Sequence, residues 1–375
     1  MKQTEYLAER NRLTEETLGR LSVHNDDTLN RTLNFVSANL RNFIPQIDVG
    51  THEMLFRHML LQQKLSWLDL EFPAIFDHIS YENSNIDAFE FLKTQPSIIC
   101  TFHLGSFRLI NYVLGKNGIN YTLMVSDAAL KEHQHNYQKI YEQHNYYAEG
   151  EKFNIISAQS PHSGMQMLRE LKKGKSLLVY IDGYSGAGNN TIQNENLLKI
   201  NFLAESIYAR KGIAYFSHLA KVPIVAVANY RKTKDDLCFK FFDPIFPNLT
   251  MDREIYATHT TQKIFDQFAE LLLKYPEQWE AWLYLHSVIK PHEFSEMRAD
   301  GGADKNEDRL YFNKNKFGLF SINQEMFLFN KRNYNSFPLK EPIYSLLNKS
   351  TIHPVSKAEF PASIFDQLIN NQVLT

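Results

Sequence analysis

The stretch Ser97-Ile-Ile-Cys-Thr-Phe-His103-Leu-Gly-Ser-Phe-Arg108 joins a short apolar run to a histidine and a glycine-containing turn. A new amphipathic segment begins at once, at Phe107. Open α/β folds place their chemistry where a buried strand ends and a turn leads into a helix. His103 is therefore a candidate functional residue. The alternative is a histidine that only caps the strand end, and the stretch alone does not separate the two.

Apolar runs with strand character alternate with helical segments through the middle of the chain. The predicted strands cover residues 97–102, 121–125, 153–157, 176–181, 197–202, 223–230 and 237–242. The predicted helices cover residues 106–115, 129–147, 161–173, 205–220 and 258–275. Strands separated by helices of this length favour crossover units. The predicted fold class is α/β, with a mostly parallel sheet flanked by helices.

The two ends of the chain differ from the middle in the secondary structure that they predict. Residues 1–95 read as helices, one of them capped near Asn25-Asp-Asp-Thr and ended by Pro45. A hairpin around residues 313–316 and helices at 341–347 and 361–374 indicate a small α+β module at the other end. The predicted domains are a helical N-terminal region at 1–95, an α/β domain at 96–290, a polar linker at 291–308 and a C-terminal module at 309–375.

Composition narrows the class of protein without naming a function. The chain has 375 residues, 43% hydrophobic and 22% charged, with a net charge of −2. That charge offers no general attraction for nucleic acid. Cys100 and Cys238 lie in apolar runs and indicate buried reduced thiols rather than a zinc site. Without an apolar leader or a run of about 18 apolar residues, we expect a cytoplasmic protein with at most peripheral contact with the inner membrane.

A second polar residue follows another apolar run. Asp182 comes directly after Leu177–Ile181 and precedes a glycine-containing loop. The carboxyl ends of parallel strands share one edge of a sheet, so His103 and Asp182 are expected to line one crevice. The alternative is that Asp182 caps the following turn.

Three further charged residues have competing interpretations. Asp127 follows the strand at 121–125, where an aspartate favours N-capping of the next helix over a direct role. Arg210 and Lys211 fall within the predicted helix at 205–220, where they are ordinarily solvated. A helix start that faced the crevice would instead let them bind an anionic substrate.

Several segments together resemble the lysophospholipid acyltransferase superfamily, and within it the lipid A late acyltransferases. They occur in the family's order over roughly residues 30–290. The similar segments are Arg31-Thr-Leu-Asn-Phe-Val-Ser-Ala-Asn-Leu with Ile44-Pro45, Ile98-Ile-Cys-Thr-Phe-His103-Leu-Gly-Ser-Phe, Gly174-Lys-Ser-Leu-Leu-Val-Tyr-Ile-Asp182, Asn201-Phe202-Leu-Ala with the block from Lys211 to Val225, and Tyr275-Pro-Glu-Gln-Trp279-Glu-Ala-Trp282.

The resemblance implies transfer of a fatty acyl group from an acyl thioester, carried by acyl carrier protein or coenzyme A, to a hydroxyl or amine. No other cofactor and no metal are implied. His103 would be the general base, and Gly105 or a neighbouring backbone N–H would stabilise the oxyanion. The acceptor would be a small molecule, a lipid or a peptide.

The chain departs from the family at the fifth position after the histidine, where an acidic residue is replaced by Arg108. An arginine cannot accept the imidazole N–H, and its charge lowers a histidine pKa. Either another carboxylate replaces the acid, with Asp182 and Asp127 as the candidates, or the acceptor demands less of the base, or catalysis is lost. The family also carries an arginine some 35 residues after the histidine, and here only Lys139 lies nearby.

Two other functions stay open on the sequence. A catalytically degenerate protein of the same fold would only bind an acyl chain, a carrier protein or a peptide, and Arg108 favours it. DNA binding by the C-terminal module ranks last, since residues 309–375 have only a modest excess of basic residues. A carboxylate within about 3 Å of the His103 ring would favour the enzyme, because a base needs that contact to be oriented.

Overall fold

The computed structural model describes residues 3–72, 79–83, 85–131, 154–183, 196–294 and 309–375. The chain forms two compact units that are interleaved along the sequence. The first comprises Met1–Gly19, Arg57–Phe202 and Ile207–Ala281, and the second comprises Arg20–Phe56, Leu203–Ser206 and Trp282–Thr375. The consecutive domain boundaries inferred from the sequence stay a prediction, and most of the predicted linker lies outside the described residues.

A seven-stranded sheet dominates the first unit. The strands along this part of the chain are β1 (Ile79–Asn83), β2 (Ile98–Thr101), β3 (Tyr121–Val125), β4 (Ile155–Ser157), β5 (Ser176–Tyr180), β6 (Leu197–Phe202), β7 (Glu205–Arg210), β8 (Ile224–Arg231) and β9 (Leu237–Phe241). The sheet order is β1-β9-β8-β2-β5-β3-β4, and only β8 and β9 pair antiparallel. The predicted α/β class with a mostly parallel sheet is confirmed.

Helices connect the strands and build the N-terminal part of the chain. They are α1 (Gln3–Thr14), α2 (Asp27–Phe43), α3 (His52–Glu71), α4 (Ala88–Thr94), α5 (Ile110–Lys116), α6 (Ser163–Lys172), α7 (Gly212–Ala220) and α8 (Arg253–Lys274). Aspartate caps fix several starts: Asp26 accepts from the Leu29 N–H, and Asp252 accepts from two N–H groups of α8. In the described part of the chain, no helix combines the length and the apolar character needed to cross a bilayer.

The central strands of the sheet are buried on both faces. All four residues of β2 and all eight of β8 are buried, as a strand between two helical layers should be. Directly after β2, Phe102 stacks on Phe268 of α8 with ring centroids 3.8 Å apart. Since successive side chains alternate in direction, Phe102 anchors the strand end in the core and leaves His103 to point away from that packing.

One predicted element near residue 200 is wrong, whereas the predicted strand at 197–202 is confirmed as β6. The predicted helix at 205–220 is strand β7 followed by α7, because Ile207 and Ala209 are buried in alternation, which is a strand pattern. Strand β6 pairs with β7 in a separate two-stranded sheet rather than joining the main one. Leu203, with φ 57°, makes the tight turn between them. Arg210 therefore ends a strand, and Lys211 occupies the N-cap position of α7.

Strand β1 lies within the region predicted as entirely helical. Its five residues, Ile79–Asn83, pair in parallel with β9 at the edge of the sheet. A short edge strand such as this has little periodicity of its own and depends on its neighbour for pairing.

The second unit contains an antiparallel three-stranded sheet and two helices near the C-terminus. The elements are β10 (Phe317–Ile322), β11 (Glu325–Asn330), β12 (Ser336–Leu339), α9 (Glu341–Ser350) and α10 (Ala362–Asn370). The hairpin predicted around residues 313–316 instead turns at Asn323 and Gln324, with φ 50° and 70°. Positive φ at both central residues suits the right-handed twist of a two-residue hairpin, and asparagine tolerates it.

A buried ionic cluster ties α3 to β8 and to the turn after β2. Asp69 of α3 is fully buried and accepts the Tyr6 hydroxyl at 2.7 Å. Its other carboxylate oxygen contacts both Arg231 Nη2 and the Ser106 hydroxyl, and these two groups lie 3.1 Å apart. The cluster therefore attaches the turn after β2, through Ser106, to helix α3.

Replacing Asp69 by alanine should destabilise the protein strongly. The Arg231 guanidinium would stay buried without its carboxylate, which typically costs about 3–5 kcal/mol. Urea denaturation measures the change in free energy of unfolding. Glu90→Ala, which removes an exposed pair with Lys93, is the control and should cost at most about 1 kcal/mol. Similar losses in the two variants would contradict the assignment of Asp69 as a structural anchor.

Candidate functional site

The parallel register of β2 and β5 brings two predicted site residues together. Thr101 pairs with Tyr180, and the Ile181 N–H donates to the Thr101 carbonyl at 3.0 Å. His103 and Asp182 each lie two residues beyond this pair. Strand register alone therefore sets them opposite one another at the carboxyl edge of the sheet.

His103 and Asp182 form a directly bonded dyad. Nδ1 of His103 lies 2.7 Å from Asp182 Oδ1, and the His103 backbone N–H donates to Oδ2 at 2.9 Å. The Asp182 side chain is fully buried, whereas that of His103 is 19% exposed. An ionised carboxylate only accepts, so the neutral imidazole carries its proton on Nδ1. Nε2, which has no hydrogen-bond partner within the described residues, then presents a lone pair.

The charges around His103 act on its pKa in opposite directions. Burial lowers it, whereas the charge and hydrogen bond of Asp182, with a contribution from Glu280, raise it. The net effect raises the pKa of His103 above its usual value, although Arg108 opposes the shift. The expected lowering of this pKa by Arg108 is present, but the carboxylate in direct contact outweighs the more distant cation.

Arg108 is held by packing rather than by the dyad. Its guanidinium carbon lies 4.0 Å from the ring centroid of Trp67 and 4.2 Å from that of Phe107. Nη1 donates to the Ser66 hydroxyl at 3.1 Å. Such cation–π contacts stabilise a largely buried arginine. Arg108 thus packs against aromatic side chains. The carboxylate that contacts His103 is that of Asp182, which follows the neighbouring strand β5.

Gly105 has a structural role that differs from the predicted one. Its φ is 56°, and an added Cβ would lie 2.9 Å from Asn229 Oδ1 and 3.0 Å from the backbone of Asn229 and Tyr230. Its N–H donates to the Gln278 carbonyl at 3.0 Å. This N–H is thus already engaged within the protein, and the predicted oxyanion donor is left to a neighbouring backbone N–H, which stays a prediction.

A cavity of about 220 Å³ opens beside the dyad. Its wall is mainly apolar, with Arg108, Arg210 and Glu280 as the charged residues besides His103. The apolar part of the wall is formed by Phe107, Met124, Val125, Ala129, Ala158, Val179, Tyr180, Ile181 and Ile213. Such a cavity suits an apolar ligand with a few polar groups that fix its orientation.

The other predicted substrate-binding residues differ in their positions. Arg210 lines the cavity and is exposed. Lys211 forms an ion pair with Glu254 at 2.5 Å and is not among the lining residues. Asp127 accepts the Ser157 hydroxyl, also away from the lining, and the predicted N-cap role belongs to its neighbour Ser126, whose hydroxyl accepts from the Ala129 N–H at 3.2 Å. Lys139 lies outside the described residues.

Residues 278–280 are site residues to which the sequence assigned no role. Gln278 accepts from Gly105, and the Glu280 N–H donates to the His103 carbonyl at 2.9 Å. The Trp279 indole N–H donates to Asp182 Oδ2 at 2.7 Å. The Pro-Glu-Gln-Trp signal was visible in the sequence, but nothing in it shows that this segment, 97 residues after Asp182, returns to the dyad.

Gly105→Ala should destabilise the protein more than Gly118→Ala. Both glycines have positive φ, at 56° and 72°, but nothing lies within 4 Å of a Cβ added at Gly118. Gly118→Ala is the control and measures the cost of positive φ alone, about 1–2 kcal/mol. The additional loss of unfolding free energy in Gly105→Ala measures the clash of the new Cβ with residues 229 and 230. Urea denaturation of the two variants measures it. Equal losses would show that the turn can move away from β8.

Asp182→Asn should lower the pKa of His103. The amide keeps the shape but not the charge, so burial acts against a weaker opposing contribution. The His103 Cε1–H signal in NMR titrations reports this pKa, with His103→Gln used to assign it. An unchanged pKa in the variant would exclude Asp182 as the partner of the ring.

In the wild type, the raised pKa of His103 makes the stability of the fold depend on pH. The contribution of His103 to stability is fully present below the pKa that this histidine has in the unfolded chain. It disappears as the pH rises through the pKa in the folded state.

Comparisons with known proteins give a likeness in structure and no match in sequence. No protein-family model matches the sequence, and the search of curated proteins finds no significant match. Among solved structures, the chain is similar to the crystal structure of the 1-acyl-sn-glycerophosphate (LPA) acyltransferase PlsC from Thermotoga maritima. The TM-score is 0.32 and the identity 13%, and the alignment covers 64% of this chain and 95% of that chain.

Proposed function

We propose that the protein transfers an acyl group from a thioester to a hydroxyl or amine, with His103 as general base. One observation carries the proposal: the 2.7 Å contact between His103 Nδ1 and a fully buried carboxylate, beside a mainly apolar cavity. This contact fixes the tautomer and stabilises the imidazolium that forms during proton transfer.

In this mechanism, Nε2 of His103 takes the proton of the acceptor hydroxyl or amine as the acceptor attacks the thioester carbonyl. The new carbon–oxygen or carbon–nitrogen bond gives a tetrahedral intermediate. Its collapse breaks the carbon–sulfur bond, and the leaving thiolate takes a proton from the imidazolium. The products are an ester or amide and a free thiol, and His103 returns to its neutral form. Asp182 holds the ring and keeps its own charge throughout.

The cavity suggests how the donor binds. Its apolar wall suits the acyl chain, and the exposed Arg210 at its edge suits the phosphate of a coenzyme A or a carrier-protein phosphopantetheine arm. The contact with Asp182 that raises the pKa of His103 also stabilises the imidazolium that this mechanism requires.

A binding protein without turnover is the second candidate, and one observation favours it. The backbone N–H of Gly105, the donor expected to face an oxyanion, bonds to Gln278 instead. If no neighbouring backbone N–H replaces this donor, the site would bind an acyl thioester and leave it intact, because such donors contribute a large share of acyl-transfer catalysis.

His103→Gln should abolish consumption of the thioester. Loss of general-base assistance costs roughly 10²–10⁴ in rate. The measurement is mass spectrometry of the purified protein with acyl carrier protein and coenzyme A donors, each with a panel of hydroxyl and amine acceptors. The free thiol and the acylated acceptor are both followed.

His218→Gln is the matched control, because His218 bonds to the Asn248 carbonyl at 3.1 Å and does not line the cavity. Its turnover should equal that of the wild type. Retained turnover in His103→Gln would refute the proposed base. A donor that binds and stays intact with every acceptor would establish the binding protein instead.

A further inference from the structure

Residues 278–280 run alongside the turn that carries His103. Gln278 and Trp279 end the Pro-Glu-Gln-Trp segment, and Glu280 follows it. The backbone of Gln278 accepts from Gly105, and that of Glu280 donates to His103, on either side of an antiparallel bridge between Leu104 and Trp279. The Gln278 side chain adds a second attachment, since its amide bonds to both the N–H and the carbonyl of Arg231, at 2.8 and 2.9 Å. The segment is therefore fixed to β8 and to the turn at once.

Trp279 is the residue of this segment that reaches the dyad. Its indole N–H donates to Asp182 Oδ2 at 2.7 Å, and its side chain is fully buried. The ring packs edge-on against Phe202 and Phe268, with centroids 5.5 and 5.4 Å away. Packing on this scale leaves the indole no alternative rotamer, so the direction of the N–H is set by the core.

We propose that Trp279 is a positioning residue that aims the Asp182 carboxylate at His103, an inference that rests on the proposed function. Oδ2 accepts from Trp279 and from the His103 backbone N–H, which leaves Oδ1 directed at Nδ1 of the ring. Two donors on one oxygen oppose rotation of the carboxylate about its terminal bond. Without the indole N–H, only the backbone N–H of His103 itself would hold Oδ2.

Other charged and titratable groups around His103 do not depend on Trp279. The ring lies 5.1 Å from that of Tyr180, and Glu280 and Arg108 act on it by charge. A substitution that removes only the indole N–H leaves all three in place. A change in the His103 titration would then report a change in its contact with Asp182.

Trp279→Phe tests the inference, and Trp282→Phe is the matched control because Trp282 is also a fully buried indole. In Trp279→Phe, we expect the pKa of His103 to fall below its wild-type value and the low-field NMR signal of its Nδ1–H to weaken. We also expect kcat to fall about 10- to 100-fold with an unchanged KM, as loss of a hydrogen bond to a charged group predicts. Trp282→Phe should leave the His103 titration unchanged.

A lower kcat with an unchanged or raised His103 pKa would overturn the inference, because Trp279 would then act only through packing. Should Trp279→Phe fail to fold, incorporation of the benzothiophene analogue of tryptophan at position 279 removes the N–H and keeps the shape. The titration needs no turnover. A wild type without acyl transfer would therefore refute the proposed function, while the His103 pKa would still decide the role of Trp279.

Discussion

The Asp182 carboxylate is the point on which the rest of this site depends. It is fully buried and accepts three N–H groups, two from His103 and one from Trp279. A buried charge is tolerated only when its hydrogen-bonding capacity is satisfied, so these three donors are also what allows the carboxylate to lie in the core. Moving the imidazole or the indole away would leave part of this buried carboxylate without a donor.

A second buried charge lies below the same turn. Asp69 holds Arg231 and Ser106, and Gly105 occupies the close approach between the turn and the backbone of β8. The turn after β2 is thus held between two buried carboxylates, one that contacts the dyad histidine and one that contacts the serine three residues later. Removing either partner of a buried ion pair leaves an uncompensated charge in the core, so the contacts of both carboxylates keep the turn in place.

Arg108 lies close to the dyad but is held by other side chains. Stacked between Trp67 and Phe107, it closes one wall of the cavity and contributes only a long-range charge to the histidine. The carboxylate that orients the ring comes from the adjacent parallel strand instead. Two strands in register offer equivalent positions at their carboxyl ends, so an acid on either one can reach an imidazole on the other.

Local patterns in the sequence determined much of the fold. The capped helix at Asp27–Phe43, the strand that leads to His103 and the strand that leads to Asp182 follow from periodicity and capping, which depend only on near neighbours. The expectation that His103 and Asp182 share one crevice followed from parallel-strand geometry. Tertiary structure alone decided the parallel pairing of β1, the stacking of Arg108 on Trp67 and the return of Trp279 to Asp182. Each of these depends on contacts between residues far apart in the chain, which periodicity and spacing do not encode.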